Sequence, residues 1–207
     1  MREPKTHEGS IFHTRKYWDV KTWKADYILI MLGTNDSKED NWDPSLYEND
    51  LGDLADEMSS LDPKPKGIFL LIPPRLEPTE QVVAQMKMQP NVVAYDIPRI
   101  VRSIADNKGM GLINLSMIYQ DPLDPDRVFA KGEKGFWSGD GCHPNDEAYQ
   151  IMAKEIADHL TPFLAQNDNK EVVKTDEPSK QPSQVPVSRP SIYPTSPDII
   201  TSAIADV

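Results

Sequence analysis

The sequence predicts one α/β domain, in which helices cover both faces of a parallel β-sheet, followed by a tail without a core. Three observations predict this class. Short apolar runs are closed by strand-ending residues, helical periodicity lies between them, and the composition turns polar and proline-rich from residue 166 onward. A chain of 207 residues is long enough for one two-sided core but not comfortably for two domains.

Three apolar runs predict buried strands. The first, residues 27–32, is closed by Gly33, the second, residues 68–72, is stopped by Pro73-Pro74, and the third is the shorter run 112–115. Proline cannot donate to a strand ladder, so the second strand should end there. Continuous apolar runs, unlike alternating ones, are typical of strands that are covered on both faces in a parallel sheet.

Amphipathic stretches between and after these runs predict three helices. The first follows the start signal Asp43-Pro44-Ser45, the second ends at Lys108-Gly109, and the third follows Pro144-Asn145-Asp146. Pro98 is tolerated only near the first turn of the second helix, which leaves the start of that helix open. The apolar faces consist of Leu46, Leu51, Leu54, Met58 and Leu61, then Val93, Ile97, Ile100, Val101 and Ile104, then Ala148, Ile151, Met152, Ile156, Leu160 and Phe163. Alternating strands and helices imply right-handed crossovers and a layered sheet.

The two ends of the chain are predicted to lie outside the packed domain. Residues 1–14 should be irregular, residues 15–164 should form the domain, and residues 165–207 should form a disordered Pro/Ser-rich tail. Prolines recur at every fourth residue from Pro178 to Pro194 among polar residues. Such a segment cannot bury enough apolar surface to fold, which favours a solvated spacer.

Charge and composition exclude several classes of binding partner. The 33 acidic and 22 basic residues give a formal charge of -11, which repels phosphate backbones, so no nucleic acid partner is expected. Cys142 is the only cysteine, and the four histidines lack ligand spacing on a shared face, so no metal site is expected. No apolar run approaches the ~20 residues that span a bilayer, and no signal segment follows Met1. The compartment is therefore left unknown.

A polar tetrapeptide, Gly33-Thr34-Asn35-Asp36, directly follows the first predicted strand. Ligands of open parallel sheets bind beyond the carboxyl ends of the strands, so Asn35 should lie at a functional rim. Its amide can donate to a developing oxyanion without adding a titrating charge. The alternative is that Asn35 and Asp36 only cap the turn after the strand, and the tetrapeptide by itself favours that alternative.

A second motif, Asp140-Gly141-Cys142-His143, lies in a glycine-bearing loop before the last helix. The spacing allows Asp140 to hold one imidazole nitrogen of His143, which leaves the other nitrogen to take a proton from a hydroxyl nucleophile. In the alternative reading, Asp140 caps the glycine turn, and Asn145 or Asp146 caps the helix.

Taken together, the two motifs resemble the third and last catalytic blocks of the SGNH (GDSL-like) hydrolases, in the same order along the chain. The resemblance covers roughly residues 15–164. It implies a flavodoxin-like, three-layer sheet and an ester substrate, acyl or acetyl, with carbohydrate esters indicated by residues 37–42. It also implies that Asn35, with Gly33, binds the oxyanion, that His143 is the general base and that Asp140 orients it. The chemistry that the resemblance implies needs no cofactor.

The nucleophilic serine of that family has no counterpart in this sequence. The family carries it in a Gly-Asp-Ser block that ends a first strand, but only 32 residues precede Gly33, and the segment His7–Ile11 lacks a preceding apolar strand. Ser138 would need a strained loop, Ser37 suits a turn, and Cys142 merely adjoins His143 in sequence. The nucleophile therefore remains unassigned, and the fold is expected to be N-terminally incomplete.

A missing first strand would leave the strand at residues 27–32 with an open edge. Unpaired backbone groups along an edge invite pairing with another chain, so self-association and poor folding in isolation are expected.

The leading hypothesis is that the chain is the C-terminal portion of an SGNH esterase, whose complete form could carry a signal peptide. The alternative is a non-catalytic remnant that binds a glycan or a protein through Asn35, Trp42 and Trp137. A generic flavodoxin-like binding domain is disfavoured, because no glycine-rich phosphate loop opens a helix.

Overall fold

A three-stranded parallel sheet forms the centre of the molecule. The computed structural model describes residues 10–118, 120–121, 124–128 and 139–172, with side chains within residues 10–118 and 139–165. The strands β1 (Tyr27–Ile30), β2 (Gly67–Ile72) and β3 (Gly111–Asn114) pair in the order β1-β2-β3. The three predicted strands and their parallel arrangement are confirmed.

Helices precede, connect and follow these strands. Helix α1 (Arg15–Trp23) precedes β1, α2 (Pro44–Ser59) leads from β1 to β2, α3 (Ile97–Lys108) leads from β2 to β3, and α4 (Asp146–Val172) comes last. A short antiparallel pair, β4 (Gln120–Asp121) and β5 (Asp124–Val128), lies between β3 and α4 in the chain. The alternation that the sequence predicted is therefore confirmed.

Alternate residues of β2 pack into two separate apolar clusters. Leu70 and Ile72 belong to the cluster that includes buried residues of α2 and α3, whereas Phe69 and Leu71 belong to the cluster that includes Met152 of α4. Because successive side chains of a strand point to opposite faces, this division places helices on both sides of the sheet. The predicted layered α/β architecture is confirmed.

The start of α2 has the capping geometry that the sequence indicates. The side chain of Asp43 accepts hydrogen bonds from the backbone N–H groups of Ser45 (2.9 Å) and Leu46 (3.0 Å). Pro44 occupies the first turn, where no intrahelical donor is lost. Helix α3 ends at Gly109, whose φ of 63° is in the left-handed region that many helix C-caps adopt.

Two element boundaries differ from the sequence prediction. Strand β1 ends at Ile30 rather than at residue 32, because the chain turns away from β2 through Gly33, which has a φ of +123°. Val93 lies in a wide helical turn, Val92–Asp96, and α3 begins only at Ile97. Pro98 has no N–H to donate to a preceding carbonyl, which accounts for irregular helical geometry before it.

The last helix also differs from its predicted extent and buried face. It continues to Val172, past residue 164, where the sequence placed the end of the domain. Phe163 was expected on the buried face but is 46% exposed, although its ring still meets Phe69 edge-on at a centroid distance of 5.0 Å. Ala148, Met152 and Leu160 on the same face are buried as predicted. No helix in the part of the chain that the structure describes is both long and apolar enough to cross a membrane.

Strand β1 lies at an edge of the sheet, and an apolar groove runs beside it. Within the described ranges, β1 pairs with β2 on one side only. The groove encloses about 50 Å³ and is lined by backbone and side chains of β1, by Tyr17 and Val20 of α1, and by Leu54 and Met58 of α2. The open edge that the sequence predicted is thus present in the described chain.

Two glycine-to-alanine substitutions test the packing of this fold in opposite directions. A Cβ at residue 111 would overlap the buried ring of Phe69, so Gly111→Ala should destabilise the protein by about 1–3 kcal/mol through overpacking. A Cβ at residue 52, inside α2, would lie 3.7 Å from Cε of Lys108, an ordinary contact. Gly52→Ala should therefore stabilise the protein by about 0.5–1 kcal/mol. Urea denaturation measures both changes, and equal effects of the two substitutions would contradict the packing described.

Candidate active site

A cleft of about 210 Å³ opens where the carboxyl ends of β1 and β2 meet the loop before α4. Its lining includes Gly33 and Asn35 from the loop after β1, Pro73-Pro74 from the loop after β2, and His143. The topology of a parallel sheet brings these ends together, which is where ligands of such sheets bind. The two sequence motifs therefore meet at one cleft.

The first motif forms a tight turn. The backbone N–H of Ser37 donates to the carbonyl of Gly33 (3.0 Å), and the Ser37 hydroxyl donates to the carbonyl of Thr34 (2.7 Å). Ser37 is fully buried, so its hydroxyl has the turn-forming use that the sequence favoured over a nucleophilic one. Asn35, in the same turn, lines the cleft.

Glycine is required at position 33 because a tyrosine lies directly against it. With φ at +123°, Gly33 is in a conformation that side-chain-bearing residues rarely adopt, and a Cβ would lie 2.7 Å from Oη of Tyr47. That hydroxyl donates to the carbonyl of Leu32 (2.9 Å). Burial, and to a lesser degree the charge of Asp36, raises the pKa of Tyr47 far above its ordinary value, so it remains a donor.

Three aspartates are among the residues that line the cleft. Asp36, Asp43 and Asp50 all line it. Burial raises the pKa of Asp36, and the nearby charge of Asp50 raises it further. Burial thus disfavours the charged form of Asp36, while its oxygens remain able to accept hydrogen bonds.

The second motif brings Asp140 and His143 together. Oδ2 of Asp140 lies 2.5 Å from Nδ1 of His143, while Oδ1 accepts the backbone N–H groups of Cys142 (2.8 Å) and His143 (2.9 Å). The side chain of Asn145 accepts the backbone N–H of Ala148 (2.9 Å) and thereby caps α4. The two readings of the sequence are thus compatible, since Asp140 caps the glycine turn and also pairs with His143.

The electrostatics of this pair favour an ionised Asp140. Partial burial raises its pKa, but the hydrogen bonds from the side chain and backbone of His143 and from the backbone of Cys142 outweigh that effect and lower the pKa. The side chain of His143 is 52% exposed, and that of Asp140 is 18% exposed. A carboxylate held at Nδ1 leaves Nε2 as the nitrogen that can exchange a proton with a ligand.

One segment, residues 77–89 between β2 and α3, contacts both motif-bearing loops. The backbone N–H of Glu77 donates to the carbonyl of Gly141 (3.0 Å) in the second loop. At its other end, the carbonyl of Lys87 accepts the backbone N–H of Glu39 (2.9 Å), just after the turn of the first motif. This bridging segment therefore ties the position of one loop to that of the other.

The candidate nucleophiles differ in where they lie. Cys142 lines the cleft, and its Sγ lies 3.6 Å from Sδ of Met88. Ser138 lies outside the described residues. Ser10, which the sequence gave little reason to select, also lines the cleft, and it is only 8% exposed, with no hydrogen-bond partner for its Oγ in the described chain. The short helical turn Ile11–His13 after it has no periodic sequence signal that would have predicted this position.

The aromatic residues of the binding alternative are only partly described. The ring of Trp42 packs against Tyr47 at a centroid distance of 5.5 Å and contacts the core cluster, and it does not belong to the cleft lining. Trp137 lies outside the described residues. Among the residues that the structure does describe, no group of three His, Cys, Asp or Glu side chains could hold a metal ion.

A family of known proteins matches most of the described chain. The sequence model of the GDSL-like lipase/acylhydrolase family matches residues 8–151. That span contains the strand, turn and loop that carry both motifs.

Individual relatives agree with the family match. The chain is 28% identical over 151 residues to an acetylxylan esterase of Xylanibacter ruminicola, which covers 67% of this chain but only 29% of that protein. Among solved structures, Est24, a carbohydrate acetylesterase from Sinorhizobium meliloti, superposes with a TM-score of 0.58 at 19% identity, covering 79% of this chain and 73% of that one. A lipase/acylhydrolase from Enterococcus faecalis gives a TM-score of 0.53 at 15% identity, covering 70% and 67%. These structures share the fold of this chain.

The pairing of Asp140 with His143 predicts a specific dependence of stability on pH. The pKa of Asp140 is lower in the folded protein than in the unfolded chain, so its stabilising contribution is present above about pH 4 and is lost as the pH falls through the folded pKa. Asp140→Asn should therefore lower the free energy of unfolding near neutral pH, with a difference that shrinks below about pH 4. Urea denaturation at a series of pH values measures it.

The same substitution in a His143→Gln background is the matched control. Because the imidazole partner is already absent, Asp140→Asn should cost less stability there. A cost that is independent of both pH and His143 would contradict the described pair.

Proposed function

Because the chain belongs to the GDSL-like lipase/acylhydrolase family, we propose that it carries the base, the orienting acid and one oxyanion donor of an ester hydrolase. The observation that carries this proposal is the 2.5 Å contact between Asp140 and His143 at the cleft that Asn35 also lines. An oriented imidazole and a neutral amide donor at one cleft are two of the three groups that acyl transfer from an ester requires.

In the proposed reaction, His143 accepts and returns one proton in each of two steps. Nε2 of His143 takes the proton of a serine hydroxyl as that oxygen attacks the ester carbonyl, and the amide of Asn35 donates to the resulting oxyanion. When the carbon–oxygen bond to the alcohol breaks, the imidazolium returns its proton to the leaving alcohol. Water then attacks the acyl-enzyme with the same base, which releases the carboxylic acid and restores the serine.

The substrate class that we propose is an acyl or acetyl ester, with acetylated carbohydrate preferred. Two relatives support this preference, because they are described as an acetylxylan esterase and a carbohydrate acetylesterase. The three aspartates of the cleft lining are compatible with hydroxyl-rich, uncharged substrates, because carboxyl oxygens accept hydrogen bonds from hydroxyl groups.

The nucleophile is proposed to lie outside this chain. Ser37 is buried in a turn, and the family resemblance assigns the nucleophile to a Gly-Asp-Ser block that the sequence does not contain. The chain spans about 29% of the length of its acetylxylan esterase relative, so a longer protein remains compatible with this proposal.

Ester hydrolysis by two forms of the protein tests the proposed function. The 207-residue chain should leave p-nitrophenyl acetate unhydrolysed, whereas a form extended by its upstream coding sequence should hydrolyse it. In the extended form, His143→Ala should lower kcat by about 10²–10⁴-fold, because the general base is lost.

Two further variants control for the choice of histidine and for the location of the nucleophile. His159→Ala, which removes an exposed histidine of α4, should leave the rate of the extended form unchanged. If the 207-residue chain itself hydrolyses the ester and Ser10→Ala abolishes that activity, the nucleophile is Ser10 and its proposed location is wrong. If His143→Ala leaves the rate unchanged, the assignment of the base is wrong.

We also propose that the chain associates with itself through the edge of β1. The groove beside β1 is apolar, and an edge strand offers backbone groups to a second strand. Charge at the wall of the groove should oppose such pairing.

Sedimentation over a range of concentrations tests this association. Val20→Lys places a charge in the groove from α1 and should weaken self-association by about tenfold or more, about 1.4 kcal/mol. Val83→Lys is the matched control, since Val83 is 48% exposed and does not line the groove. A monomer at all concentrations, or equal effects of both substitutions, would contradict pairing through this edge.

A further inference from the structure

A threonine after β2 makes two hydrogen bonds, one to the loop of the second motif and one within the bridging segment. Oγ1 of Thr79 donates to the backbone carbonyl of Asp140 (3.1 Å) and accepts the backbone N–H of Val82 (3.1 Å). A hydroxyl has one proton, so these two contacts use it as both donor and acceptor. Sixty-one residues separate Thr79 from Asp140, and the contact is therefore a tertiary one.

The loop of Asp140 depends on outside contacts for its conformation. It contains two glycines with positive φ, Gly139 at +111° and Gly141 at +84°, and glycine backbones are permissive. Thr79 packs closely against the second of these, because a Cβ on Gly141 would lie 2.9 Å from both Cγ2 and Oγ1 of Thr79. The adjacent backbone N–H of Glu77 holds the carbonyl of Gly141. Two successive carbonyls of the loop are thus held by residues 77–79.

We infer that Thr79 is a positioning residue, which sets the orientation of the Asp140 carboxylate at Nδ1 of His143 by holding the Asp140 carbonyl. The inference rests on the proposed function, in which that carboxylate orients the base. The side chain of Thr79 contacts only the backbone of the loop among the contacts described, at the carbonyl of Asp140 and beside Gly141. Its effect on His143 is therefore indirect, and it does not line the cleft.

The tautomer of His143 reports this positioning without requiring turnover. A carboxylate at Nδ1 favours the neutral imidazole with its proton on Nδ1, and two-bond ¹H–¹⁵N correlation spectra distinguish this form from the Nε2–H form. In the 207-residue chain labelled with ¹⁵N-histidine, Thr79→Val should shift the His143 population from Nδ1–H towards Nε2–H. Thr79→Ser, which keeps the hydroxyl, should restore the native population. His143→Gln identifies the resonances.

Two controls separate positioning from general destabilisation. Thr14 makes the same pair of bonds at the start of α1, donating to the carbonyl of Ile11 (2.8 Å) and accepting the N–H of Tyr17 (3.2 Å). Thr14→Val should leave the tautomer of His143 unchanged. Asp140→Asn gives the spectrum of an imidazole whose carboxylate partner is gone.

Each outcome has a distinct meaning. A native tautomer in Thr79→Val overturns the inference, and so does an equal shift in Thr14→Val or a failure of Thr79→Ser to restore the population. If Asp140→Asn leaves the tautomer unchanged, the coupling of Asp140 to His143 is wrong, and with it the acid–base part of the proposed function. If the tautomer responds as expected but the extended protein hydrolyses no ester, the positioning holds and the proposed function fails.

Discussion

Backbone hydrogen bonds from residues 77–89 to two separate loops hold the cleft of this protein in one arrangement. At one end the segment binds the loop of Asp140, and at the other it binds the chain just after Asn35. The segment is itself anchored, because Val82 is fully buried and Met88 is 6% exposed in the core cluster. Displacing it would move both loops together, so the spacing between Asn35 and His143 depends on this connection.

The parallel sheet explains why two motifs more than 100 residues apart in sequence share a cleft. Strands β1 and β2 run in the same direction, so the chain that leaves each of them arrives at the same edge, and the loop before α4 closes over that edge. Local sterics complete the arrangement at Gly33. Only a residue without a Cβ allows the hydroxyl of Tyr47 to reach the carbonyl of Leu32, and this bond fixes the start of the turn that carries Asn35.

The sequence predicted the elements whose signals are local. Apolar runs predicted β1 to β3, and Asp43 predicted the start of α2, because a strand stop or a helix cap is decided within a few residues. It did not predict the wide helical turns before α3, and it placed Val93, which is buried in one of them, on the apolar face of a regular helix. The contact of Thr79 with Asp140 was equally out of reach, since it depends on how two distant loops fold against each other.

The two motifs of the candidate site are held in place in different ways. Both oxygens of the Asp140 carboxylate are engaged within four consecutive residues, and the nearest tertiary support comes from residues 77–79. The contact of Asp140 with His143 is therefore local, while the conformation of its loop depends on that support. The turn with Asn35 depends also on the position of β1, because it follows directly from that edge strand. A strand that pairs with the open edge would stabilise the Asn35 turn first and would leave the pairing of Asp140 with His143 unaltered.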